Sequence, residues 1–356
     1  MAKRAWHRTI HRGRTEYADM VEIARLYFDH EIPQQEISGR LNIPQATVSR
    51  LLQRAKEEGI VRYIISPPPL SRLQVDTLAK LKGKGVQDVR VVPRGVGENA
   101  DKNVKNLGDV GAEYLWEVLS QHPGDQLTIG MACGDSLVSL VIRFATYLEQ
   151  EPAALRELQR KEITLYPLNL FWGPKLEYGA NFYPAVLVIA AATLLIKLGC
   201  KVSAYAPQPP LSFYSESEAG KKREREQQIA DYARYLEEAK EADVFLVGIG
   251  MGIQDPKYRR LLETLNGKRH LSSREVVGEL NYQPFDGNGQ FLTLPRLLAV
   301  TADELMVLAK TRKRIIAVAG GDKKVPAITA LLRRTSLPFN VLITDETVAE
   351  GILEVK

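Results

Sequence analysis

Cysteine occurs only twice, at Cys133 and Cys200. That excludes a disulfide framework and fits a reducing compartment, so the expected location is the cytoplasm. Histidine is also scarce, with only His122 and His270 beyond the first thirty residues. His, Cys, Asp and Glu nowhere group at ligand spacing, so neither a metal site nor a cofactor is expected. Long apolar runs are missing too. AVLVIAAATLLI (185–196) is closed by Lys197 and Gly199, short of the roughly 18 residues a membrane span needs, and reads as a buried helix. No apolar stretch follows the basic N-terminus, which argues against a signal peptide. Internal repeats and a Walker A motif are absent as well.

Acidic residues are missing from the first fifteen positions, MAKRAWHRTIHRGRT, which hold five basic ones. Residues 1–66 carry 11 Lys/Arg against 8 Asp/Glu, while the rest of the chain carries 37 against 35. A basic arm beside a small helical unit points to a polyanion partner; a solvated, disordered tail is the alternative. At 356 residues the chain is long for one domain, and its 45% hydrophobic content can build a large core. Pro67-Pro68-Pro69 is a stiff, extended breaker. The expected division is 1–66 as arm and DNA-binding domain, 67–85 as linker with a connecting helix (71–83), and 86–356 as effector domain.

QQEISGRLNIPQATVSRLLQRAKEEG (34–59) has the pattern of a helix-turn-helix. Pro33 suits the first position of a helix. Ile37 and Leu41 fall one turn apart, Asn42 takes the left-handed turn, and Ile43 plugs the corner. After Pro44, residues Val48, Leu51, Leu52 and Ala55 follow the i, i+3, i+4, i+7 rule, and Gly59 ends the helix. Ser38 is slim enough for two helices to cross. With Val48 inward, Ala46, Arg50 and Gln53 point outward, flanked by Gln45, Thr47 and Ser49. These groups suit base edges and phosphates, as on a recognition helix in the major groove of double-stranded DNA. A helical hairpin used for packing is the bland alternative. YADMVEIARLYFD (17–29) reads as a supporting helix and IVRYIIS (60–66) as a short strand, giving a winged-helix-like unit.

From Val86 onward, short apolar runs alternate with helical ones. Strands are expected at 88–93, 127–131, 163–168, 201–206, 244–250, 298–301, 315–320 and 340–344. Most are apolar and β-branched, as strands covered on both faces are, which argues for a Rossmann-like, doubly wound α/β domain. Ligands bind such sheets at the carboxyl ends of strands. GMACGDSL (130–137) contributes Gly130, Cys133, Gly134 and Ser136; GIGMG (248–252) contributes Gly248 and Gly250. AGGDKK (319–324) offers Gly321 and Lys324, and VGELNYQPFDGNGQ (277–290) offers Glu279, Asn281, Asp286, Asn288 and Gln290. Together they favour a polar, phosphate-bearing small ligand, although any one glycine loop also reads as a tight turn. Cys133 reads more readily as a small buried residue than as a reactive thiol. The charged segment 214–243 reads as a solvated helix with an extra loop.

The 34–61 stretch, with LVGIG, VGELNYQPFDGNG, AVAGGDKKVPAITALLR and NVLITDETVAEGIL in that order, resembles the SorC family of sugar-binding transcriptional regulators. The resemblance spans residues 17 to 356. It implies an effector domain similar to ribose-5-phosphate isomerase and glucosamine-6-phosphate deaminase, a sugar phosphate effector, and a homo-oligomer, dimer or tetramer. By the same resemblance, the phosphate loop falls on Gly130 to Ser136, the acid of the VG[DE] motif on Glu279, and the lysine of the glycine-pair motif on Lys324. The chain departs from the family at Asp135, where a neutral or basic residue is usual.

The expected function is therefore a repressor or activator controlled by a sugar phosphate, and not an enzyme. The alternative is a sugar-phosphate isomerase or deaminase with an appended DNA-binding domain, in which Glu279 and Lys324 would act as acid and base. Turnover discriminates the two.

Overall fold

The computed structural model describes residues 16–61, 71–94, 100–170, 183–207, 232–266, 276–294 and 297–355. The chain divides into two compact units, Met1–Pro68 and Pro69–Lys356.

In the first unit, α1 (Glu16–Ala24) runs into a π-helical turn (Arg25–Asp29), where one continuous helix was expected. α2 (Gln34–Leu41) and α3 (Gln45–Glu57) follow. Pro33 and Pro44 occupy the N-cap, one position earlier than expected, with ψ of 146° and 139°. An N-cap is extended, and a proline there still spares the helix an orphan donor. Asn42 is left-handed with φ of 55°, and Gly59 sits just past α3 with φ of 72°. The Ser38 hydroxyl donates to the Ile43 carbonyl at 2.6 Å, pinning the turn. Met20, Ile23, Ile37, Val48, Leu51, Leu52 and Ala55 form the core. Residues 60–61 form a bend rather than a strand. The rest of the expected strand, and the basic arm, lie outside the described residues.

The second unit opens with α4 (Arg72–Lys82), capped by Ser71, whose hydroxyl accepts from the Gln74 N–H at 3.1 Å. This helix was expected as a connector. It packs on β1 (Asp88–Val92) and on the last helix of the chain, and Lys80 Nζ donates to the Leu353 carbonyl at 3.0 Å. Then come α5 (Ala100–Ser120), β2 (Gln126–Met131), α6 (Asp135–Gln150), α7 (Pro152–Leu158), β3 (Glu162–Pro167), α8 (Pro184–Lys197) and β4 (Lys201–Ala204). After α9 (232–240) follow β5 (Val244–Gly250), α10 (Pro256–Asn266), β6 (Val276–Leu280) and β7 (Gln283–Asp286). The chain closes with α11 (Ala302–Leu308), β8 (Arg314–Val318), α12 (Val325–Leu331), β9 (Val341–Asp345) and α13 (Glu346–Glu354).

Seven strands form a parallel sheet in the order β1-β9-β8-β5-β2-β3-β4. β9 is buried at every position, so both faces are covered, which is why these strands read as unbroken apolar runs. β2, β3 and β4 proceed toward one edge, and β5, β8 and β9 toward the other. The order reverses between β2 and β5, the place where sheets of this kind bind ligands beyond the carboxyl ends of their strands.

Two strand expectations change. The run at 298–301 contributes only an isolated bridge, Ala299 to Asn169, because Thr301 is already the N-cap of α11 in a capping box with Glu304. The polar segment 277–290, expected as a ligand loop, is largely the β6–β7 hairpin. Its turn is Asn281 and Tyr282, with φ of 48° and 68°, the two-positive geometry that matches strand twist. β6 adds antiparallel to β5, pairing Gly250 with Glu279.

Candidate functional site

The outer face of α3 carries the six residues expected to meet DNA. Gln45, Ala46, Ser49, Arg50 and Gln53 are exposed and Thr47 is half-buried, while Val48, Leu51, Leu52 and Ala55 hold the helix from behind. Gln53 Nε2 donates to Glu57 Oε1 at 3.0 Å. Arg54, off this face, pairs with Glu16 and Glu58. Arg50 makes no hydrogen bond or ion pair among the described residues. A guanidinium held outward without a partner suits a bidentate contact to a guanine edge or a phosphate.

The second candidate site lies at the crevice between β2 and β5. Gly134 is the N-cap of α6 with φ of 126°, and Ser136 is half-buried in the first turn. Asp135, between them, is exposed. The Cys133 thiol donates to the Tyr282 hydroxyl at 2.9 Å, and burial pushes its pKa up, which makes it inert as a nucleophile. Gly248 allows the β2 loop close to β5: a Cβ there would stand 3.3 Å from the Cys133 carbonyl oxygen. Gly250 leaves room for the Glu279 side chain, whose Oε2 accepts from the Tyr282 N–H at 2.7 Å. Gly321, with φ of 96°, donates its N–H to the Asp345 carboxylate at 2.5 Å; Asp345 also caps α13 through the Val348 N–H at 2.9 Å. This tie holds the 319–324 loop against β9 and carries Lys324 to the crevice.

Charge at the crevice is finely set. Burial pushes the Glu279 carboxyl up to about 7, against the pull of Lys324 and of the Tyr282 N–H. Burial likewise lowers the pKa of Lys324, opposed by Glu279, Asp255 and Asp135. Lys324 is half-buried, and its ammonium makes no hydrogen bond or ion pair among the described residues. An enclosed ammonium at the carboxyl ends of parallel strands suits an anionic or hydroxyl-rich ligand.

Cys133, Gly134, Ser136, Gly248, Gly250, Glu279, Gly321 and Lys324 thus lie at the carboxyl ends of β2, β5 and β8 or on β6 beside them. Gly130 and Asp286 do not join them. Gly130 lies within β2, and a Cβ there would stand 2.5 Å from Leu168 Cδ2, so its role is packing. Asp286 pairs with Val276, three residues along β6 from Glu279, and its Oδ1 accepts the N–H groups of Asn288 and Gln290, both at 2.9 Å. Asn281 is buried and links Asn169, Leu168 and Val300, a structural use of its amide. Sequence reasoning missed Asp255, which reaches Lys324 electrostatically and also accepts the Lys257 N–H at 2.8 Å. The Asp-Pro pair opening α10 was the available signal.

His122 sits before β2, at the opposite end of the strand from the crevice, with Nε2 3.5 Å from Asp243. His270 lies outside the described residues. Among the described residues no group of three or more His, Cys, Asp and Glu could hold a metal, and no helix is long and apolar enough to cross a membrane.

Comparison with known proteins matches residues 187–354 to the family described as "Putative sugar-binding domain" and residues 29–62 to "Winged helix-turn-helix DNA-binding". The deoxyribonucleoside regulator of Bacillus subtilis is 25% identical over 338 residues, covering 94% of this chain and 96% of the relative. The sorbitol operon regulator of Klebsiella pneumoniae is 25% identical over 336 residues, covering 94% and 97%. The crystal structure of the full-length Klebsiella pneumoniae regulator SorC superposes with a TM-score of 0.63 at 22% identity, over 96% of this chain and all of that one. The order of the two domains and these relatives agree: a helix-turn-helix domain precedes a domain matching sugar-binding domains, the chain is similar over nearly its whole length to transcriptional regulators, and it shares its fold with SorC.

Proposed function

We propose that the protein is a transcriptional regulator that binds double-stranded DNA through the outer face of α3 and is controlled by a sugar phosphate held at the β2–β5 crevice. The observation that carries the reading is Lys324, a half-buried ammonium that makes no hydrogen bond or ion pair among the described residues, on a loop tied down by Asp345. The same chain presents on the outer face of α3 an arginine that makes no hydrogen bond or ion pair among the described residues. One site suits a small anion and the other a polyanion.

In this reading the phosphate meets Lys324 and the first turn of α6, and sugar hydroxyls meet Glu279. Asp135 lies beside that turn and disfavours a dianion there unless it stays turned to solvent, where its exposure places it. The protein works as a homo-oligomer, dimer or tetramer, because paired recognition helices read paired half-sites. Effector binding shifts the packing between protomers and changes the spacing of those helices. It acts in the cytoplasm, where its DNA lies.

The enzyme reading has one observation in its favour: Glu279 with its carboxyl near neutrality beside a lysine of lowered pKa has the form of an acid–base pair. Binding accounts for the same two groups. The test is a thermal-shift screen of sugar phosphates, followed by DNA titration and a turnover assay with the hits. A ligand at 100 times its Kd raises stability by about 2.7 kcal/mol. A hit that alters DNA affinity without being consumed supports the regulator; conversion to an isomeric or deaminated product overturns it.

A further inference from the structure

The loop that bears Lys324 is tied to a helix, and that helix is tied in turn to the first element of the second unit. Asp345 makes the first tie. It is 4% exposed, and its Oδ2 accepts the Gly321 N–H and the Asn103 Nδ2, both at 2.5 Å. Its Oδ1 accepts the Val348 N–H at 2.9 Å, capping α13. One carboxylate thus joins the 319–324 loop to the first turn of α13. A glycine brings the two closer: a Cβ on Gly351, in α13, would stand 2.6 Å from Cγ1 of Val325, the residue after Lys324. The second tie is at the far end of α13. The last carbonyls of a helix lack partners within it, and a cation there also meets the negative end of the helix dipole. Lys80 Nζ meets both needs, donating to the Leu353 carbonyl at 3.0 Å and to the Val355 carbonyl. Lys80 belongs to α4, the element at which the chain from the helix-turn-helix enters the second unit.

The nine residues of α13 span about 13 Å. Val348, Ala349, Gly351 and Ile352 are buried along it, and a close-packed helix moves as a unit rather than bending. We infer that α13 is the rod through which an anion at Lys324 is felt at α4, with Asp345 and Lys80 as positioning residues of the regulatory response. An anion that draws Lys324 shifts the 319–324 loop, and Gly321 and Val325 take α13 with it. Leu353 and Val355 then take Lys80, and with it α4. Lys80 stands at the opposite end of α13 from the loop and does not line the effector site. The ligand shifts DNA binding only by its unequal affinity for the two positions of α13, and that difference is the coupling to be measured.

The inference rests on the regulator reading, and its test separates the two. The full chain is titrated by fluorescence anisotropy against a duplex selected from a randomised pool by the wild type. Titrations are run alone and with each sugar phosphate of the thermal-shift panel, ribose-5-phosphate and glucosamine-6-phosphate among them. In the wild type, the active sugar phosphate should change DNA affinity by about 5- to 150-fold. Lys80→Met keeps the aliphatic stem and loses the charge. It should bind the duplex and the sugar phosphate singly as the wild type does, yet lose the change, so that its two titrations superimpose. Lys80→Arg restores a cation and its donors and should regain the response. Gln74→Leu controls for a mere loosening of α4: Gln74 Oε1 accepts the Val91 N–H at 3.3 Å and so ties α4 to β1, not to α13. Its response should match the wild type. A full response in Lys80→Met overturns the inference and leaves the regulator reading standing. So does an equal loss in Gln74→Leu, or a failure of Lys80→Met to bind the sugar phosphate at all. If no sugar phosphate changes the DNA affinity of the wild type, both fall.

Discussion

The Glu279 carboxylate lies directly over Gly250: a Cβ built on that glycine would stand 1.9 Å from Glu279 Oε1. The two residues are also paired across β5 and β6. The second glycine of GIG is therefore the floor on which the acid rests.

Gly250→Ala should displace the Glu279 side chain while leaving the fold intact, because the colliding atoms belong to a side chain that can turn away. Loss of one hydrogen bond from a charged group costs about 1.5–3 kcal/mol, so effector affinity should fall by about ten- to a hundredfold. Calorimetry with the sugar phosphate found in the screen reads the first effect and anisotropy the DNA affinity, which should not change.

Lys324→Ala should bind DNA as the wild type does and ignore the effector. The lost charge-assisted contact is again worth about 1.5–3 kcal/mol. Lys323, its exposed neighbour, is the control, and Lys323→Ala should respond normally. Wild-type effector affinity in Lys324→Ala would move the anion site elsewhere.

Arg50→Ala should weaken binding to the selected duplex by about 1–3 kcal/mol with an unchanged circular dichroism spectrum, since the side chain holds nothing together among the described residues. Equal affinity at fixed salt would take the guanidinium out of the groove.

Stability of the second unit should depend on pH through Glu279. Its carboxyl is pushed up from an ordinary value of 4.5 to about 7, so the folded chain holds this proton more tightly than the unfolded one. The stabilisation is complete below about pH 4.5 and is lost as pH rises through about 7. Glu279→Gln, which cannot ionise, should therefore gain stability over the wild type at about pH 8 and gain much less at about pH 5. A urea midpoint difference that is the same at both pH values would contradict the buried-acid assignment.

Much of the architecture was legible because it is written in local periodicity. Val48, Leu51, Leu52 and Ala55 announce α3 by their spacing, and the strands around Val244 and Val341 announce a sheet covered on both faces. The β6–β7 hairpin was hidden because Gly278 and Glu279 interrupt its apolar pattern. Each has a reason that only packing supplies: a Cβ on Gly278 would stand 2.2 Å from the Phe285 ring, and Glu279 lies on Gly250. Polar residues in a glycine-rich stretch look alike whether they bind a ligand or hold a turn. Asn281 and Asp286 proved to hold structure, while Glu279, two residues before Asn281, faces the crevice.

Chemical type and chain order alone marked α3 as an amphipathic helix with a polar outer face and Lys324 as a charge beyond a strand end, because helical spacing and glycine turns act over a few residues. The environment of Lys324 was decided elsewhere. Glu279, Asp255 and Asp135 come from three other parts of the chain, and their influence on the lysine exists only because the strand order reverses between β2 and β5. Proximity across a sheet follows from strand order, which local patterns do not encode, and burial, which moves both pKa values, arises only once those elements close around the crevice.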